Sequence, residues 1–136
     1  MEQNYTRKIV GTGAAFAFVG VALGAFGAHG LRDHISPSSM SVYQTGVQYH
    51  LIHAITLVAI AGIAERVATP SKIVLIVKLI AAGIVVFSGS LYLLAVTGFK
   101  LLGAITPIGG VCFLSAWALL CQAALTNKGS TDTGSG

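Results

Sequence analysis

Four stretches of this chain run for about twenty residues or more without a Lys, Arg, Asp or Glu, the length a helix needs to cross a bilayer. They are residues 9–30, 41–64, 79–99 and 101–127. In lipid the backbone must pair its own polar groups within each segment, so such stretches become helices. Only 9% of the 136 residues are charged, where a soluble domain carries about 25%. So few charges cannot cover a soluble surface, and an apolar fraction of 54% excludes a disordered chain. Two Cys are too few for a disulfide scaffold. These facts describe an all-α, polytopic membrane protein. We expect one four-transmembrane-helix bundle over residues 1–126, with spans at 9–29, 43–65, 72–97 and 106–126. The Gly, Ser, Thr and Asp of residues 127–136 read as a disordered tail.

The span ends have chemical markers. Thr69-Pro70 and Thr106-Pro107 each offer an N-cap followed by Pro at the first helical position. Pro37 sits in a polar stretch where Ser36, Ser38, Ser39 or Ser41 can cap a short interfacial helix. The first apolar run is longer than the 7–15 residues typical of a signal-peptide core, so it reads as an uncleaved helix. One side of the membrane receives Arg7, Lys8, Arg66, Lys72, Lys78 and Lys128, and the other Arg32 and Lys100. This bias places both termini in the cytoplasm, or in the matrix of a mitochondrion. The net charge of +4 follows from it and suits an anionic inner leaflet, with no nucleic-acid partner. Lys78 is expected to snorkel at the inner interface.

Helices in lipid associate by close backbone approach. Gly13, Ala17, Gly20, Gly24 and Gly27 recur at spacings of 4, 3, 4 and 3 and form one helix-packing stripe. Gly20 and Gly24 make a GxxxG match, usable inside the bundle or against another chain. Gly83, Ser88, Gly89 and Ser90 give the third span a small surface, and Gly109, Gly110, Ser115 and Ala116 do so for the fourth. The second span is expected to carry polar groups instead, and to turn them inward. Cys112 and Cys121 fall on opposite faces of the fourth span and read as buried reduced thiols that cannot bridge. Trp117 is mid-span, so its indole N–H needs a partner in the bundle or in another subunit.

Polar side chains inside a membrane are costly and need partners. Here they gather towards the outer half: His29, Tyr43, Tyr49, His50, His53, Ser88, Ser90, Tyr92 and Thr106. Gln44, Thr45 and Gln48 lie among them. Tyr43 and His50 share a helix face, and Tyr49 lies beside His53. Such a group can ligate a metal or haem, relay protons, contact a lipid or quinone headgroup, or hydrogen-bond the helices together. Ligation lacks the Cys, Asp or Glu that would complete a first shell, and haem would need His29 opposed to the second span. A relay lacks a nearby carboxylate, since Asp33 and Glu65 lie on opposite sides. Structural hydrogen bonding is the simplest use. No nucleophile stands with a base and an orienting acid, and no phosphate loop or paired carboxylates are present, so nothing argues for an enzyme. Four short helices also give a transporter little room.

Four motifs in order carry a resemblance: Gly24-Ala-Phe-Gly-Ala-His29-Gly-Leu31, Tyr43-x-x-Gly46-x-x-Tyr49-His50-x-x-His53-Ala54, Phe87-Ser-Gly-Ser-Leu-Tyr92 and Ile105-Thr-Pro-Ile-Gly-Gly110. With them the chain resembles the YgdD-like family over residues 6–125. The resemblance implies a small four-helix inner-membrane protein of unknown function, with relatives in mitochondria, and supplies no activity or cofactor. Its motifs coincide with the polar cluster. The first functional expectation is a non-catalytic accessory subunit of a larger, for instance respiratory, membrane complex, packed against a partner or against copies of itself. The alternative is a binding or conducting protein for a small molecule, metal, haem or lipid headgroup. A third is an enzyme acting on lipid or quinone.

Overall fold

The structure, a computed structural model, describes residues 2–126, and for residues 2, 3 and 65 the backbone alone. The expected tail, with Lys128, lies outside the described residues, as does the side chain of Glu65. Four helices are long and apolar enough to cross a membrane. Helix α1 (Glu2–Phe26) runs on through one π turn (Gly27–Leu31). Helix α2 spans Pro37–Val67. Helix α3 consists of Pro70–Gly83, a π turn at Ile84–Ser88, and Gly89–Thr97. Helix α4 spans Leu102–Thr126.

Two of the starts follow from Pro at the first helical position. Ser36 caps α2, its hydroxyl accepting the Ser39 N–H at 3.1 Å, and Pro37 follows. The serines therefore open α2 itself, and the short interfacial helix we expected is not formed. Pro70 opens α3, although the Thr69 side chain makes no capping bond. The third boundary differs from expectation. Gly98, with φ of 69°, ends α3, and α4 begins at Leu102, so Thr106 and Pro107 lie inside it. The first turn of α4 closes through i→i+3 bonds from Leu102, Gly103 and Ala104, which lets the helix start before Pro107. Pro107 lacks the N–H that would have paired with the Gly103 carbonyl, so the helix forgoes one bond near its start.

Helices α2 and α3 are central and α1 and α4 flank them. About 39% of the membrane window is buried in α2 and in α3, and 17% in α1 and α4. Helix α1 packs along α2, α2 against α3, and α3 against α4. An apolar core of Ile9, Leu57, Ile60, Ile73, Ile76 and Ile80 fills the end nearest the α2–α3 connection. A smaller core of Leu31, Met40, Tyr43 and Ala95 fills the other end.

The glycine stripe of α1 faces α2. A Cβ on Gly13 would lie 3.0 Å from the Leu57 Cβ, one on Gly20 would lie 2.7 Å from Leu51 Cδ2, and one on Gly24 would lie 3.2 Å from Val47 Cγ1. Gly109 of α4 presses on the backbone of Phe87, inside the α3 π turn. Helix α2 also offers a small-residue surface, contrary to expectation: Gly46 admits the Tyr92 ring and Ala54 is fully buried. Cys112 is half-buried and Cys121 exposed, because α4 is peripheral, so the expectation of two buried thiols is corrected.

Two glycines separate packing from propensity. Gly109→Ala should destabilise by about 1–3 kcal/mol, since the added methyl meets backbone that cannot give. Gly62→Ala should be neutral or slightly stabilising, because nothing lies within 4 Å of its Cβ position. Thermal unfolding in mild detergent checks the pair, and equal effects would contradict this packing.

Candidate functional site

Two imidazoles on adjacent turns of α2 form the polar centre. Both are almost fully buried, His50 at 3% and His53 at 4% exposure. They point to different neighbours. The His50 Nε2 lies 2.9 Å from the Phe16 carbonyl of α1, and its Nδ1 lies 3.1 Å from the Tyr92 hydroxyl of α3. A carbonyl only accepts, so Nε2 carries the proton and Tyr92 donates to Nδ1. His53 has the opposite tautomer. Its Nδ1 lies 2.8 Å from the Tyr49 carbonyl, one turn back on α2, and so carries the proton. The Trp117 indole N–H of α4 donates to the free Nε2 at 3.1 Å. Both rings are neutral, and each of their four nitrogens is engaged.

Aromatic packing fixes the rings. Phe113 stacks on His53 with centroids 3.6 Å apart and planes at 13°. Phe87 packs against Phe113 at 5.6 Å and against Tyr49 at 4.7 Å. The Phe16 ring meets His50 edge-on at 6.0 Å. Tyr43 packs on Tyr92 at 5.0 Å and donates to the Leu23 carbonyl of α1 at 2.7 Å.

Close backbone approach makes these bonds reachable. Gly20 has no Cβ to crowd His50, whose Cδ2 would lie 3.1 Å from it, and this brings the ring to the Phe16 carbonyl. Gly27 does the same for Tyr43. Gly46 makes room for Tyr92, whose Cε1 would lie 2.9 Å from a Cβ there.

A third tie joins α3 to α4. The Ser90 and Thr106 hydroxyls are 2.7 Å apart. Ser90 is also within reach of the Phe87 carbonyl, and Thr106 of the Leu102 carbonyl. Two protons serve three contacts, so one hydroxyl bonds across the helices while the other donates to its own backbone. Ser88 is the exception. Its hydroxyl is fully buried in the π turn and has no hydrogen-bond partner among the described residues, which costs about 1–3 kcal/mol.

The nine polar residues singled out from sequence therefore do not meet at one point. His50, Tyr92 and Tyr43 tie α2 to α1 and α3, His53 ties it to α4, and Ser90 and Thr106 tie α3 to α4. His29 is exposed at the end of α1 and touches none of them, and Tyr49 contributes its carbonyl and its ring face. Sequence reasoning passed over Phe16 and Phe113, and named Phe87 only as the start of a motif. The i, i+4 spacing of Phe113 and Trp117 on α4 was the available signal for Phe113. Among the described residues no three His, Cys, Asp or Glu side chains gather as a metal site.

Comparison with known proteins agrees with this architecture. Residues 23–110 match the family described as "Protein of unknown function (DUF423)". The chain belongs to the DUF423 family. It is 47% identical over 113 residues to the UPF0382 membrane protein YwdK of Bacillus subtilis, covering 83% of this chain and 92% of that one. It is 44% identical over 117 residues to a UPF0382 membrane protein of Staphylococcus epidermidis, covering 86% and 94%. It is 39% identical over 119 residues to the UPF0382 inner membrane protein YgdD of Escherichia coli, covering 85% and 87%. No solved structure matches the chain. This DUF423 member is thus a multi-pass inner-membrane protein, and its matched segment contains His50, His53, Tyr92 and Thr106.

The His53–Trp117 bond can be isolated by a double-mutant cycle. Trp117→Phe should destabilise by about 1 kcal/mol or more, because it leaves a buried acceptor unpaired. Adding His53→Phe should then cost less than it does alone, with a coupling of about 0.6–1.7 kcal/mol. Unfolding in mixed detergent checks this, and strict additivity would contradict the bond.

Proposed function

We propose that this protein is a non-catalytic helix-packing subunit of a larger inner-membrane assembly. One observation carries the proposal: the two buried imidazoles, with Tyr43, Tyr92 and Trp117, are used up in hydrogen bonds that hold the helices together. Neither imidazole keeps a lone pair for a metal or haem, and neither keeps one for a substrate proton. Minimal loops leave little extramembrane mass for chemistry, and the flanking helices α1 and α4 present broad apolar faces. Phe18 at 76% and Leu114 at 71% exposure are examples. Such faces suit contact with other membrane helices as well as with lipid.

A second reading has one observation in its favour. The unpartnered Ser88 hydroxyl marks a polar point deep in the protein where a small ligand would gain a hydrogen bond. On that reading the protein binds a small molecule or a lipid headgroup.

Native mass spectrometry of protein extracted gently from its own membrane tests both. The packing reading expects added protein mass at fixed stoichiometry, with no cofactor. A lone 13.9 kDa chain carrying a small added mass that is lost in Ser88→Ala would overturn it in favour of the second.

A further inference from the structure

We infer that α2 pairs with the α2 of a second copy of this chain through Gln48 and Gln44, an inference that rests on the packing reading above. Three sides of α2 are taken by α1, α3 and α4, and the fourth is open along its whole length. Ser41, Gln48, Ile55 and Gly62 lie on it at intervals of seven, and all are exposed. Nothing lies within 4 Å of the Gly62 Cβ position. Gln44 and Ile52 flank this line and are exposed too. A seven-residue repeat is the seam of two helices packed with a left-handed crossing.

The amides choose the partner. Neither the Gln44 nor the Gln48 side chain has a hydrogen-bonding partner among the described residues, yet both line a concavity of about 190 Å³ between α1 and α2. The apolar part of α2, Pro37–Ala64, is 28 residues, about 42 Å long at 1.5 Å per residue. Centred on a hydrocarbon core about 30 Å thick, it leaves the Gln48 backbone roughly 10 Å below the surface of that core. Acyl chains cannot hydrogen-bond a primary amide there. A second copy can. Two copies inserted with the same topology pair in parallel about an axis along the membrane normal, so Gln48 meets Gln48 and Gln44 meets Gln44. A primary amide carries both donor and acceptor, so each like pair can exchange two bonds. Polar pairs in such a seam also fix its register, because a slip would leave the amides unpaired.

Disulfide trapping in native membranes tests this. With Cys112 and Cys121 replaced by Ala, Gln48→Cys should oxidise to a dimer of twice 13.9 kDa, while Phe18→Cys, on the outer face of α1, should not. In detergent, Gln44→Leu with Gln48→Leu should weaken dimerisation roughly tenfold or more by native mass spectrometry. Helical content and thermal stability of the monomer should stay unchanged, since the amides have no partner among the described residues. Dimer no more abundant from Gln48→Cys than from Phe18→Cys would overturn the α2 pairing. Cross-linking of Gln48→Cys to a different protein would also overturn it, while leaving the packing reading intact. A protein that is monomeric and partnerless in native extracts would remove both.

Discussion

An imidazole inside a bilayer has two nitrogens to satisfy and no water to satisfy them with. Helix α2 carries two imidazoles on successive turns, and the arrangement of the other helices answers that demand. His50 takes a carbonyl from α1 and a hydroxyl from α3, and His53 takes an indole from α4. One helix thereby holds three neighbours through bonds that would be orphaned if any neighbour left. Each bond in such a setting is worth only about 0.6–1.7 kcal/mol. They also hold the register, because sliding or rotating a helix would leave buried polar groups unpaired.

The hydrogen bonds and the glycines depend on each other. A buried ring reaches a backbone carbonyl on another helix only if the two backbones lie close, and Gly20 and Gly27 supply that closeness on α1. On the far side, Gly109 seats against the widened turn at Phe87, and the same π turn re-aims Ser88, Ser90 and Tyr92 relative to the first half of α3. Its geometric benefit is offset by the unpaired Ser88 hydroxyl. Among the ties described, the α1 stripe is already engaged with α2, which leaves the open face of α2 as the more polar of the surfaces turned to lipid.

Much of this was legible in the sequence, and the reasons differ by feature. Charge-free runs declare membrane helices because the cost of a charge in hydrocarbon is large and local. The Gly13 to Gly27 stripe declares a packing face through its period, although the period cannot say which helix it meets. That His50 and His53 need partners was also legible. Which partners they take was not, since Phe16 offers only a carbonyl, and Phe113 and Trp117 are brought in by the topology. Thr106-Pro107 misled because the turn before it closes through i→i+3 bonds, so the helix starts at Leu102 and Pro107 forgoes one bond inside its first turns. The π turns left no mark in composition or spacing.

The central claim is that both imidazoles are neutral structural ties with opposite tautomers. Nitrogen-15 chemical shifts of selectively labelled histidine in the lipid-reconstituted protein test it most directly. His50→Gln and His53→Gln variants would assign the signals. The account predicts one ring protonated at Nε2, belonging to His50, and one protonated at Nδ1, belonging to His53. Two rings with the same tautomer, a charged ring at neutral pH, or a metal-shifted nitrogen at either position would contradict it.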